Sequence, residues 1–282
     1  MSHLIAFPAP AKLNLMLRVT GRRADGYHLL QTVFRFLDHG DVVRMRVRAD
    51  SAIVRLRPLP GVAEADDLTV RAAKLLQEAT GTSMGVEIEL EKRLPLGGGI
   101  GGGSSDAATV LLALNRLWST GCSRKRLQEL ALLLGADVPV FVYGQSAFAE
   151  GVGEELTPIP LHPAWYLVLV PPVAVSTATV FQHLELKRDS EKVKIQGFSA
   201  LRGNDLEPVV CREYPEVARH LAWLKQFGDA QMTGSGACVF VAFADEASAR
   251  QAMAACPSDM RGFVARGLDR HPLHGLAEDF DG

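Results

Sequence analysis

Strong net charge, paired cysteines and long apolar runs are all missing from this 282-residue chain. Its 30 Lys and Arg nearly balance 32 Asp and Glu, a net charge of −2, so no basic footprint for nucleic acid or an anionic membrane exists. Only four cysteines occur, and none has C-x-x-C spacing, which excludes a disulfide framework and a zinc cage and suits a reducing compartment. None of the eight histidines falls in H-x-x-x-H or H-E-x-x-H spacing; a metal is expected only in company with a phosphate substrate. The greasiest stretch, Trp165 to Val175, is broken by Pro171-Pro172 before reaching membrane-spanning length. The segment MSHLIAFPAPAKLNL lacks a basic leader followed by an apolar run. A cytoplasmic chain of one large or two modest domains is expected, with neither a nucleic-acid nor a membrane partner.

What the sequence does hold is a glycine-rich loop. Residues 94–112 read LPLGGGIGGGSSDAATVLL, with six glycines running into Ser104-Ser105 and an apolar helical pattern. Glycine tolerates positive φ and carries no Cβ, so such a loop can fold its N–H groups around an oxyanion. A helix starting there adds free N–H donors and the positive end of its dipole. Two common nucleotide motifs fit poorly. No acidic residue lies about 20 positions onward to complete a dinucleotide βαβ unit, and Ser-Ser stands where a Walker A loop needs Lys-Ser or Lys-Thr. A flexible surface turn is the plainer alternative, although linkers rarely join a strong strand to a capped helix.

Around the loop, Leu13, Leu15, Leu17 and Val19 alternate with Asn14, Met16 and Arg18, predicting a half-buried strand with Lys12 and Asn14 away from the leucines. Strands are expected at Val42–Val47, Ile53–Leu56, Val86–Leu90, Trp165–Val170, Cys238–Phe243 and Gly262–Arg266. Helices are expected from Asp67 to Gly81, from a Ser104 or Ser105 cap through Trp118, and from Arg124 to a C′ glycine at Gly135. Further helices should open at Ser176 or Thr177, lie within Leu206–Phe227, and span Glu246–Ala255. Gly151–Pro163, with two glycines and three prolines, marks the expected boundary between residues 1–157 and 158–282. Strands and helices alternate in both halves, which gives an α+β class with two domains.

Phosphoryl transfer to an alcohol needs a phosphate cradle, positive charge on the moving group and a carboxylate for the hydroxyl proton. Lys12 and Asp137 are candidates for the last two roles. Each has an ordinary alternative: Lys12 as a solvated surface charge, Asp137 as a cap before Val138-Pro139. Gly234, Ser235 and Gly236, within Thr233–Ala237, form either a common turn or a second backbone wall on the phosphate. Tyr27 and His28 follow a basic turn and, taken alone, read more readily as a partly buried tyrosine with its hydroxyl at the surface and a satisfied loop histidine.

Pro10-Ala11-Lys12-Leu13-Asn14, the loop Pro95–Ser105 and the Thr233–Ala237 turn resemble the three motifs of the GHMP small-molecule kinase superfamily. Ala9–Leu15, Arg23-Ala24-Asp25-Gly26-Tyr27-His28 and Leu134–Phe141 are similar to one branch of it, and the likeness runs from Pro8 to His274. Members of that branch use ATP to phosphorylate the 2-hydroxyl of a methylerythritol unit carrying a cytidine diphosphate, a step toward isoprenoid precursors. The resemblance implies a two-domain architecture with the active site in the cleft between the domains, ATP as co-substrate and Mg2+ arriving with it. It makes Lys12 and Asp137 the catalytic pair, with Asp137 as base. Pro95, Leu96, Gly97, Gly98, Gly99, Ile100, Gly101, Gly102, Gly103, Ser104 and Ser105 would wrap the ATP phosphates. Tyr27 and Phe181 would sandwich the cytosine ring, His28 would bond its polar edge, and Asn14 and Thr177 would face the methylerythritol end.

One departure stands out. Asp67 occupies a position where relatives often carry an adenine-binding Asn, and an ionised Asp accepts hydrogen bonds but cannot donate them. Two other readings stay open: a GHMP kinase for a sugar, homoserine or a mevalonate-type alcohol, and a GHMP-fold protein that binds nucleotide without turnover. Tyr27, His28 and Phe181 discriminate the first, because those substrates carry no nucleobase; retention of Lys12 and Asp137 argues against the second.

Overall fold

The computed structural model describes residues 3–195 and 202–277, so the outer ends of the two expected domains lie outside the described residues. A long antiparallel hairpin organises the molecule. β1 (Ile5–Arg22) and β2 (His28–Arg48) run side by side, Lys12 opposite Phe36 and Asn14 opposite Phe34. Gly26, at φ 92°, turns the chain between them, a conformation that costs glycine little. The register slips between Pro10 and Lys12, between Asn14 and Met16, and between Val19 and Gly21. Such irregularities re-aim side chains, and the first two bracket Lys12 and Asn14. The expected half-buried strand is therefore corrected: Met16 joins the core, and Lys12 and Asn14 are themselves only 1% and 3% exposed.

On one side of the hairpin follow β3 (Ile53–Arg55), α1 (Leu68–Thr80), β4 (Gly85–Glu91), α2 (Gly102–Leu117), α3 (Arg124–Leu134) and α4 (Val138–Tyr143). Next, β5 (Ala147–Glu150) and β6 (Glu155–Pro158) extend the sheet beside β2. Beyond them come β7 (Trp165–Leu169), α5 (Thr177–Gln182), α6 (Glu207–Glu213), α7 (Pro215–Leu224), β8 (Gln231–Met232), β9 (Val239–Phe243), α8 (Glu246–Ala254) and β10 (Gly262–Leu268). The strands order as β3-β4-β2-β10-β7-β9-β8, with β1 and β5 on β2 and β6 on β5. β10 stitches the halves together, pairing with β7 along its length and with β2 at Gly267 and Leu268.

Helix and strand are mixed throughout, the α+β class expected. One core sets Leu111, Leu114 and Phe141 against Phe36 and Ile88; a second sets Val210 and Leu221 against Leu167 and Val241. Between them Leu13, Ile100, Cys238 and Phe240 form a smaller cluster that clamps β1, the glycine loop and the later strands together. Asp67 accepts from the Thr69 N–H to cap α1, and Gly81, at φ 68°, ends it, as the sequence indicated. Gly135 closes α3 in an extended conformation, φ 162°, so the expected left-handed C′ glycine is not what stops this helix. Among the described residues no helix is long and apolar enough to cross a membrane.

Candidate active site

The Lys12 ammonium sits where β1, the glycine loop and α4 meet. Its Nζ donates to Asn14 Oδ1 at 2.6 Å and to the Gly99 carbonyl at 3.2 Å, and lies 3.0 Å from Asp137 Oδ2. Three N–H groups thus face three acceptors, and the Phe34 ring lies beneath at 5.4 Å. The reading of Lys12 as a surface charge is excluded, because a buried ammonium is retained only when so compensated. Asp137 heads α4, yet its side chain makes no cap; it stays 41% exposed, turned toward the cleft and Lys12. The alternative capping role is excluded as well.

The loop itself is built on alternating left-handed glycines: Gly97, Gly99 and Gly101 have φ of 67°, 72° and 73°. Gly99 could not carry a side chain, since a Cβ there would strike the Thr233 carbonyl and the Gly236 backbone. Gly101, not Ser104 or Ser105, is the N-cap of α2, and it offers no side-chain oxygen. The expected serine cap is corrected: the helix starts earlier and both serines fall in its first turn. Without a capping oxygen, the N–H groups of Gly102, Gly103 and Ser104 stay open to an anion. Ser104 lines the cleft, whereas the Ser105 hydroxyl is buried without a partner. Leu96 projects outward, Pro95 and Gly98 pack near Cys238, and the Ile100 carbonyl accepts from the Lys12 N–H at 3.0 Å.

The second glycine turn is bonded directly to the first. Cys238 N–H donates to the Gly98 carbonyl at 3.0 Å, and Thr233 Oγ1 accepts from the Asn14 N–H at 2.9 Å. Asn204 donates to the Gly234 carbonyl at 2.7 Å, and Thr177 and Ser235 share a 2.7 Å hydroxyl contact across the wall. A cavity of about 350 Å³ results, lined by Lys12, Asn14, Gly97, Gly99, Ser104, Asp137, Thr177, Phe181, Gly234 and Ser235 among others.

The residues expected around the cytosine ring gather less completely. His28 packs on Phe181, ring centroids 4.9 Å apart and tilted by 31°, while Tyr27 is 62% exposed. In this structure the ring facing Phe181 is thus the imidazole. Burial, then Arg188 and Arg22, hold the His28 pKa below its ordinary value. Asp67 is engaged within the fold: Oδ1 accepts from the Thr69 N–H and hydroxyl, and Oδ2 from Arg55 at 3.1 Å.

Several supporting residues carry no signature in the sequence. Thr32 accepts from Asn14 Nδ2 at 2.8 Å and so aims the amide oxygen at Lys12. Lys92 bridges Asp41 at 2.5 Å and Asp106 at 3.0 Å, while Asp41 also accepts from the Arg93 and Leu94 N–H groups. This buried cluster fixes both ends of the glycine loop, one on β2 and the other on α2. Asp106 is pushed up to about 8, by burial and the nearby Asp41 charge against the pull of Lys92.

Residues 67–145 match the family model described as the GHMP kinases N terminal domain, and residues 188–262 match GHMP kinases C terminal. The chain is similar to the 4-diphosphocytidyl-2-C-methyl-D-erythritol kinase of Thiobacillus denitrificans, 65% identical over 97% of this chain and 99% of that one. The corresponding kinase of Nitrosospira multiformis is 62% identical over 97% and 95%. A crystal structure of 4-(cytidine 5'-diphospho)-2C-methyl-D-erythritol kinase superposes with a TM-score of 0.80 at 35% identity, covering 93% of this chain and 99% of that one. A glycine cradle, a second glycine turn and a cleft between two cores thus coincide with these matches, and the chain belongs to the GHMP kinase family, among its 4-diphosphocytidyl-2-C-methyl-D-erythritol kinases.

Proposed function

We propose that this cleft transfers the terminal phosphoryl group of ATP to the 2-hydroxyl of 4-diphosphocytidyl-2-C-methyl-D-erythritol, in the non-mevalonate route to isoprenoid precursors. The observation that carries the reading is the Lys12 ammonium, which touches the phosphate loop through the Gly99 carbonyl and lies 3.0 Å from Asp137. In the reaction an alcohol oxygen bonds to the γ-phosphorus as the bond to the β,γ-bridging oxygen breaks. Asp137 takes the hydroxyl proton, and Lys12 stabilises negative charge on the entering oxygen and the moving group. The glycine loop and the first turn of α2 hold the phosphates of the departing ADP. A tertiary alcohol is a crowded nucleophile, so positioning supplies much of the rate. Cytidine held at the far end, by Tyr27, His28 and Phe181, contributes remote binding energy to that positioning, while Asn14 and Thr177 face the methylerythritol end.

Among the described residues no cluster of three His, Cys, Asp or Glu could cage a metal. Mg2+ would arrive on the ATP phosphates; Ser104, whose side chain lines the cleft, would be the protein residue placed to offer it an oxygen, and the ion would neutralise phosphate charge. All four cysteines are free thiols, in keeping with a reducing, ATP-supplied cytoplasm.

The test is ADP release by the purified protein with ATP and a panel of alcohols. Turnover with the cytidylyl alcohol, and at least a hundredfold lower kcat/KM with mevalonate, homoserine or galactose, is expected. Preference for one of those three would overturn the substrate assignment.

A further inference from the structure

Arg188 lies outside the catalytic pair and the phosphate loops, yet it spans both walls of the base-side site. Its Nε donates to His28 Nε2 at 3.1 Å. Its Nη2 donates to the carbonyls of Phe181 at 3.0 Å and His183 at 2.7 Å, and its Nη1 to that of Leu186 at 3.0 Å. One guanidinium therefore fastens the end of α5, which carries Phe181, to the start of β2, which carries His28. A guanidinium has donors only, so His28 Nε2 must accept, and the single imidazole proton is placed on Nδ1. Among the described residues, Nδ1 has no hydrogen-bond partner of its own. Protonating the ring would set two donors face to face, with the Arg22 charge also bearing on it.

We infer that Arg188 is a positioning residue of the nucleobase subsite, holding His28 as the neutral Nδ1–H tautomer beside Phe181 and so favouring cytosine over uracil. The chemistry is that of the ring edge: cytosine N3 accepts an N–H hydrogen bond, whereas uracil N3 carries its own hydrogen. This inference rests on the proposed cytidylyl substrate for its consequence, but not for the tautomer itself.

The experiment compares the wild-type protein with Arg188→Met and Arg188→Lys. Imidazole 15N shifts of ligand-free wild type at neutral pH should report a neutral His28 with its proton on Nδ1. An Nε2–H tautomer or an imidazolium there would overturn the inference without any variant. Arg188→Met should release the tautomer and raise KM for the cytidylyl alcohol about tenfold, leaving KM for ATP unchanged. Preference for the cytidylyl over the uridylyl alcohol should fall about as far, with partial recovery in Arg188→Lys. An unaltered His28 tautomer together with equal effects on both substrates would refute it. Inactivity of the wild type toward the cytidylyl alcohol would instead sink the functional reading and leave the tautomer result standing.

Discussion

Replacing Asp137 by asparagine removes the proposed proton acceptor while keeping the shape of the side chain. Lys12 is buried, but Asp137 is 41% exposed and the asparagine amide oxygen can still accept from the ammonium, so losing the ion pair should cost folding about 1 kcal/mol after solvent screening. The melting temperature of Asp137→Asn should therefore fall by at most about 2–4 °C. Turnover is a different matter. A positioned general base contributes about 10²- to 10⁴-fold, equivalent to about 2.7–5.4 kcal/mol of barrier. Lys12 keeps its bonds to Asn14 and Gly99 in the variant, so the phosphate side stays assembled. A coupled ADP-release assay should thus show kcat reduced at least a hundredfold, with ATP affinity by calorimetry within about threefold of wild type. Retention of more than a third of wild-type kcat would refute the assignment of Asp137 as base.

Gly99→Ala forces a side chain into a left-handed residue against the Thr233 carbonyl, at a conformational cost of about 1–2 kcal/mol before the clash is counted. KM for ATP should rise at least tenfold, and an unchanged KM would show that the loop does not bind the phosphates. Phe181→Ala should raise KM for the cytidylyl alcohol far more than for ATP; equal shifts would remove Phe181 from the base site. Asp106 holds its proton up to about pH 8 in the folded chain but only to about 3.8 when unfolded. Proton retention therefore favours the fold fully below pH 4, and that stabilisation fades as pH rises through 8. Asp106→Asn should flatten the decline of melting temperature between pH 4 and 8, and parallel curves for the two proteins would contradict a protonated, buried Asp106.

Local patterns made much of this fold legible. Asp67 and Gly81 bracket α1 as their chemistry dictates, and the strands with clear alternation, such as Val42–Val47, lie where expected. The first half of β2 escaped because residues 31–37 are buried on both faces, which erases the period-two signal. On β1 the alternation was real, but register slips put its polar face inside the molecule, where Lys12 and Asn14 meet partners more than 80 residues away. The glycine loop and the Lys12–Asp137 pair were readable as residue types matched to a chemistry. Thr32, Thr233 and the Lys92–Asp41–Asp106 cluster were not, since an isolated Thr, Lys or Asp gains its meaning only from long-range placement. Asp67 was legible as a departure from the family's usual Asn, but its counter-charge Arg55 lay in a stretch with no motif.

The most direct measurement is a crystal structure with a non-hydrolysable ATP analogue and the cytidylyl alcohol bound together. The γ-phosphate is expected between the glycine loop and Lys12, and the 2-hydroxyl within about 2.6–3.2 Å of an Asp137 oxygen and in line with that phosphorus. A nucleotide seated away from the loop, or a hydroxyl out of reach of Asp137, would contradict this geometry.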